Sequence, residues 1–167
     1  MVDNTIRDLR RKHNEERDKE MASLYSLMLG LAERDCFPNN QLRKYCDPNN
    51  TVAGYVFDFA NPWYVAEPIS TVQDIKLIVD GTMIGLEHLA IIIRGQKIPV
   101  KVAKTIYEIW WGVGEVLQIL IEDQKFINQN ILKKVNLEIH LDLRTTMYYG
   151  IPNNLAQYVL NHEMEVL

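Results

Sequence analysis

Glu138, His140, Asp142 and Arg144 alternate with Leu137, Ile139, Leu141 and Leu143, so a strand would hold all four polar groups on one side, about 7 Å apart. A carboxylate beside a histidine raises its pKa and fixes its tautomer. His-x-Asp on a strand can supply two ligands to a divalent ion, and a neighbouring arginine suits a phosphate. His162 and Glu163 would complete the set if the last element folded back over this face. The chemistry implied is metal-dependent phosphodiester hydrolysis through Glu138, His140 and Asp142. An exposed strand whose mixed charges discourage edge pairing reads in the same way.

A second group lies near the start. At about 100° per residue, Arg7, Arg10, Arg11 and Arg17 fall within an arc of roughly 120° on a helix. An arginine face of this kind suits phosphates or an acidic partner. The same stretch also carries opposite charges at i,i+4 spacing (Asp8/Lys12, Arg11/Glu15, Lys12/Glu16, Glu15/Lys19), as a solvated, self-paired arm would.

Other signals for chemistry are sparse. Cys36 and Cys46 are too few for a disulfide framework, and nothing at metal-site spacing accompanies them. Gly112-Val113-Gly114 lacks the third glycine and the preceding strand of a phosphate loop. His88 beside Glu87 reads as a hydrogen-bonded neighbour of that carboxylate. There is no His-Glu-x-x-His, no nucleophile elbow, and no motif that implies a cofactor.

The elements that must position these groups follow from periodicity. Thr71 to Arg94 begins at a Ser70-Thr71 cap, ends at Gly95, and carries Val72, Ile75, Ile78, Val79, Met83, Leu86, Leu89, Ala90 and Ile93 at helical spacing. Leu77, Ile84 and Ile91 add a second apolar stripe, so the spacing predicts a helix apolar nearly all round. Pro99 opens a second helix over about 100–130, in which Gly112 and Gly114 mark a kink or a close backbone approach. Strands are predicted at about 52–59 and 135–147, paired with each other. Asp35 to Asn50 reads as a connector with at most one short helical turn around 41–45. Trp63 and Tyr64 lie in a Pro-bounded loop that reads as a lid or contact surface or, the reading favoured, as folding back over the core. A last helix follows Asn153 or Asn154, lined by Leu155, Tyr158, Val159, His162 and Val166.

The fold class predicted is therefore α+β and mainly helical: an antiparallel helix pair (about 71–94 and 100–130) packed with a small antiparallel sheet. A charged N-terminal helix (1–34) precedes a globular domain (35–167). The chain has 167 residues, 47% of them hydrophobic, and a formal charge of −4. That composition excludes wholesale disorder and any global pull toward nucleic acid. Met1 to Lys19 has no apolar core for a signal peptide. Each charge inside the apolar windows would cost roughly 2.5 to 3.5 kcal/mol in a bilayer, so no membrane span is predicted and the location expected is cytoplasmic. The function expected is non-catalytic interaction or assembly, through self-association over Leu77, Ile84 and Ile91 or through a protein partner. Nucleic-acid binding by the arginine face is the first alternative and the hydrolase the second.

Overall fold

The computed structural model describes residues 35–63, 65–129, 133–145 and 155–167, together with Lys12, His13, Glu15, Glu16 and Lys19. Those five N-terminal positions are helical. Arg7, Arg10, Arg11, Arg17 and Tyr64 lie outside the described residues.

The architecture is mostly β, with two short α-helices among the described residues, and this overturns the mainly helical α+β expectation. The strands are β1 (Gln41–Cys46), β2 (Val52–Ala60), β3 (Glu67–Pro68), β4 (Val72–Val79), β5 (Thr82–Ile84) and β6 (Leu89–Ile93). They continue as β7 (Gln96–Pro99), β8 (Trp110–Trp111), β9 (Val116–Ile121), β10 (Lys134–Arg144) and β11 (Leu155–Val166). The helices are α1 (Val100–Ala103) and α2 (Gln124–Ile127). Nine strands make one curled sheet in the order β5-β4-β10-β11-β1-β2-β9-β6-β7, and β3 and β8 form a separate pair.

The stretch Thr71 to Arg94, expected as one helix, is three strands. In β4, Ile75, Leu77 and Val79 point inward at period two, which competes with the helical spacing of the same residues. The chain then reverses at Asp80-Gly81, both at positive φ (45° and 78°), so that Val79 pairs with Thr82. Arg94-Gly95 repeats the device (50° and 77°), and Ile93 pairs with Gln96. Two central residues at positive φ give the turn whose twist matches a hairpin, and an Asp-Gly pair is its usual sequence. Ile91, Ile92 and Ile93 are β-branched, a composition that favours strands.

The remaining helical expectations fail for related reasons. The second helix remains only as the four-residue α1 and α2, with β8, β9 and turns between them. The last helix is replaced by the 12-residue β11, where Ala156, Tyr158, Leu160 and Met164 are buried. The turn expected at 41–45 is β1. The stretches 52–59 and 135–147 contain β2 and β10, but they do not pair with each other. β10 lies between β4 and β11, and β2 between β1 and β9.

The sheet has two antiparallel halves, β5-β4-β10-β11 and β1-β2-β9-β6-β7. A short parallel contact joins them, Gln41 against Glu165 and Leu42 against Val166. The inward faces of both halves meet in one core that runs from Cys36 to Met164. Leu77 and Ile84 are cross-strand neighbours in the first half, Ile91 lies in the second, and all three are buried in that core. With no helix there is no second stripe to cover, and the chain itself fills the surface that had been assigned to a partner. The expectation that Trp63 folds back over the core agrees with its position: it is buried, and its indole donates to the Tyr158 hydroxyl at 2.5 Å.

Candidate functional site

Two regions carry groups that could do work: the outward face of β10 with its neighbours, and a rim of loops. On the outward face the register sets Asp74, Asp142 and Gln157 in one row and Lys76, His140 and Val159 in the next. Glu138 Oε1 lies 2.5 Å from His140 Nε2, with both side chains about two-fifths exposed. Gln157 donates to Asp142 at 3.3 Å, and Lys134 pairs with Glu163 at 2.7 Å. Asp142 faces Asp74 directly, a like-charge placement that destabilises a sheet. Asp74, Lys76, His140, Asp142 and Gln157 line an open depression of about 260 Å³.

Glu138, His140 and Asp142 share this face, and Glu163 lies on it too, but His162 does not join them. His162 is on the other side of β11, where its ring stacks on Phe37 at 4.2 Å and its Nε2 meets Asn40 Oδ1 at 2.8 Å. Burial holds its pKa below the ordinary value. Among the described residues no group of three or more His, Cys, Asp or Glu side chains is placed to hold a metal ion. Glu87 lies 3.5 Å from His88, as their adjacency suggests. Cys46 is exposed and Cys36 buried, both as free thiols, and burial pushes Cys36 up to about 12, the direction of an inert cysteine. Asp58, on β2, is also engaged. Burial alone would raise its pKa, but bonds from Arg43, Asn39 and Gln118 hold it below the carboxylate range.

The rim gathers where β2 ends and β9 begins, and where β4 begins and β10 ends. Asn61 is its clasp. Its side-chain amide donates to the carbonyls of Val65, Trp111 and Gly112, while its oxygen accepts from the Trp63 amide. Main-chain bonds from Ile69 to Ile109 and from Ser70 to Ile106, both 2.8 Å, lock the segment before β4 to the one before β8. β3 and β8 add Glu67 opposite Trp111 and Pro68 opposite Trp110. Glu67 is 1% exposed and accepts a 2.7 Å bond from the Thr145 hydroxyl, which ties the end of β10 to the same rim.

Arg94 makes the rim rigid from outside. Its Nε and one terminal nitrogen reach the two oxygens of Glu115 at 2.8 and 2.7 Å, and the terminal nitrogen also donates to the Trp110 carbonyl at 2.7 Å. The hydrogen bonds from Arg94 hold the Glu115 carboxyl below its ordinary pKa. Glu115 in turn accepts from the Gly112 amide at 2.6 Å, and its carbonyl accepts from the Trp111 indole. The kink expected at Gly112 and Gly114 is this turn, with Gly114 at φ 65°.

On that frame sit exposed apolar side chains. Of nine large exposed hydrophobic residues among those described, four lie between 107 and 116: Tyr107 (65%), Trp110 (50%), Val113 (61%) and Val116 (42%). Trp110-Trp111 beside two closely spaced glycines was the available sign of a turn presenting aromatics.

No helix among the described residues is long and apolar enough to cross a membrane. No curated protein matches the sequence. Residues 32–149 match the model of a family described as C-glycoside deglycosidase beta subunit, which takes in β1 to β10, the rim and the polar side chains of β10. With well over half of its length matched, the chain belongs to the C-glycoside deglycosidase beta subunit family.

Proposed function

We propose that this chain is the non-catalytic β partner of an enzyme that removes the sugar from C-glycosides, and that it docks on its companion subunit through the rim around Trp110. The observation that carries the reading is the family match over residues 32–149. A β subunit implies assembly with another subunit, and this favours a heteromeric partner over the self-association suggested by apolar stripes. The rim supports the choice of surface. Tryptophan and tyrosine dominate binding hot spots. Here Trp110 stands on main chain already fixed by Arg94 and Asn61, so little ordering is left to be lost on docking.

The reading also suits the polar face of β10. A C-glycoside has a carbon–carbon bond where an O-glycoside has an oxygen. Paired carboxylates that protonate a leaving oxygen therefore do not break it unaided. The Glu138–His140 and Asp142–Gln157 contacts are engaged with one another on an open surface, as structural polar pairs are. Nucleic-acid binding has no support from the family match.

The test is sugar release from a C-glycoside by the chain alone, by the companion subunit alone and by the two together. Release that requires the mixture, and that survives His140→Ala, is expected. Turnover by the chain alone would contradict a non-catalytic role.

A further inference from the structure

A second depression, about 240 Å³, opens beside the rim, between the turn at Ile69–Thr71 and the end of β10. Lys104 and Arg144 stand at its mouth, both exposed, and neither forms an ion pair among the described residues. Two unpaired cations beside one hollow repel each other, and an anion bound between them relieves that repulsion. Its floor is built of hydroxyls. Ser70 is buried, and its hydroxyl makes no bond with a described residue. The Thr71 hydroxyl is fully enclosed and has no hydrogen-bond partner among the described residues, a condition that costs stability unless something else is gained.

The floor is fixed. The Gln73 amide donates to the Ser70 carbonyl at 2.7 Å, the Ser70 amide to the Ile106 carbonyl at 2.8 Å, and Thr145 to the buried Glu67. One wall is formed by Tyr107, which is 65% exposed; turning that ring aside would open the Thr71 hydroxyl to a ligand. A ring face next to hydroxyls and amides suits a sugar, whose C–H faces pack on aromatics while its hydroxyls exchange hydrogen bonds. The volume lies below the roughly 300 to 1,000 Å³ of drug-sized sites, the scale of one sugar ring.

We infer that this depression binds a monosaccharide bearing one anionic group, a phosphate or a carboxylate. Lys104 and Arg144 hold the anion, Ser70 and Thr71 bond the hydroxyls, and Tyr107 covers the ring. Binding is a property of the chain by itself, so it stands or falls separately from docking on a companion subunit.

Isothermal titration of the full chain with glucose 6-phosphate, glucuronate and unmodified glucose tests this inference. At least one of the two anionic sugars should bind tenfold or more tightly than glucose, and which one does so separates phosphate from carboxylate recognition. Arg144→Ala and Lys104→Ala should each weaken that binding at least tenfold without lowering the melting temperature. Thr71→Val should raise the melting temperature of the free chain and reduce the shift that ligand induces. The absence of binding by both anionic sugars would overturn the inference, and so would affinity undiminished in both alanine variants.

Discussion

The outward face of β10 and the rim around Trp110 hold chemistry of opposite kinds. On β10, charged groups are close enough to touch yet spend their bonds on one another, Glu138 with His140 and Asp142 with Gln157, on a surface open to water. Exposed pairs of this sort contribute about 0.2 to 1 kcal/mol and hold nothing in reserve. At the rim the polar groups work inward. Asn61, Arg94 and Glu115 fix main chain, and the side chains exposed on it include Tyr107, Trp110, Val113 and Val116. The difference teaches that reactive residue types gathered on one strand face need not form a site, since here they satisfy one another on an open surface.

The comparison can be broken at several points. Trp110→Ala should have the largest effect. Loss of a central tryptophan anchor costs about 2 kcal/mol or more of binding, about 30-fold in the Kd for the companion subunit, with the melting temperature of the free chain nearly unchanged. Unaltered affinity would move the interface elsewhere. Arg94→Ala comes next. Because the Arg94–Glu115 pair is partly exposed, its removal should cost no more than about 1 kcal/mol of stability. It should nevertheless weaken association several-fold by releasing the Trp110 turn, and calorimetry on both species separates the two effects.

A smaller effect concerns His162, which belongs to neither region. Burial lowers its folded pKa below 6.5, so the unfolded chain takes up a proton that the folded chain refuses. Stability should therefore fall as pH drops from about 6.5 through the lowered folded value and level off below it. His162→Gln should flatten that segment of a pH–melting curve, and an unchanged slope would point to another group. The smallest effect belongs to the β10 face. His140→Ala should shift stability by less than about 0.5 kcal/mol and leave sugar release by the assembled enzyme intact.

How much of this was legible in the sequence depended on where two periods compete. At Val135 to Leu143 strict alternation had no rival, and a strand is there. At Thr71 to Arg94, Ile75 with Val79 and Leu86 with Leu89 and Ile93 satisfy helical spacing, while Ile75, Leu77 and Val79 satisfy strand spacing equally well. The deciding signal was Asp80-Gly81, a hairpin pair that a helix would not hold at positive φ. Missing that turn moved Leu77, Ile84 and Ile91 from a shared core to an imagined interface. β11 was lost in the same way, since Leu155, Tyr158, Val159 and His162 have helical spacing although Tyr158 and Val159 face opposite sides of the sheet. The rim was out of reach for a different reason. Arg94 and Glu115 lie 21 positions apart, and Asn61 and Gly112 lie 51 apart. No local pattern reports such bonds.

Backbone hydrogen exchange of the chain, free and bound to its companion subunit, weighs the two regions in one measurement. New protection is expected at the amides of 105–115 and 61–71, with little change across 74–78, 136–144 and 157–163. Protection confined to those last three segments would contradict docking through the rim.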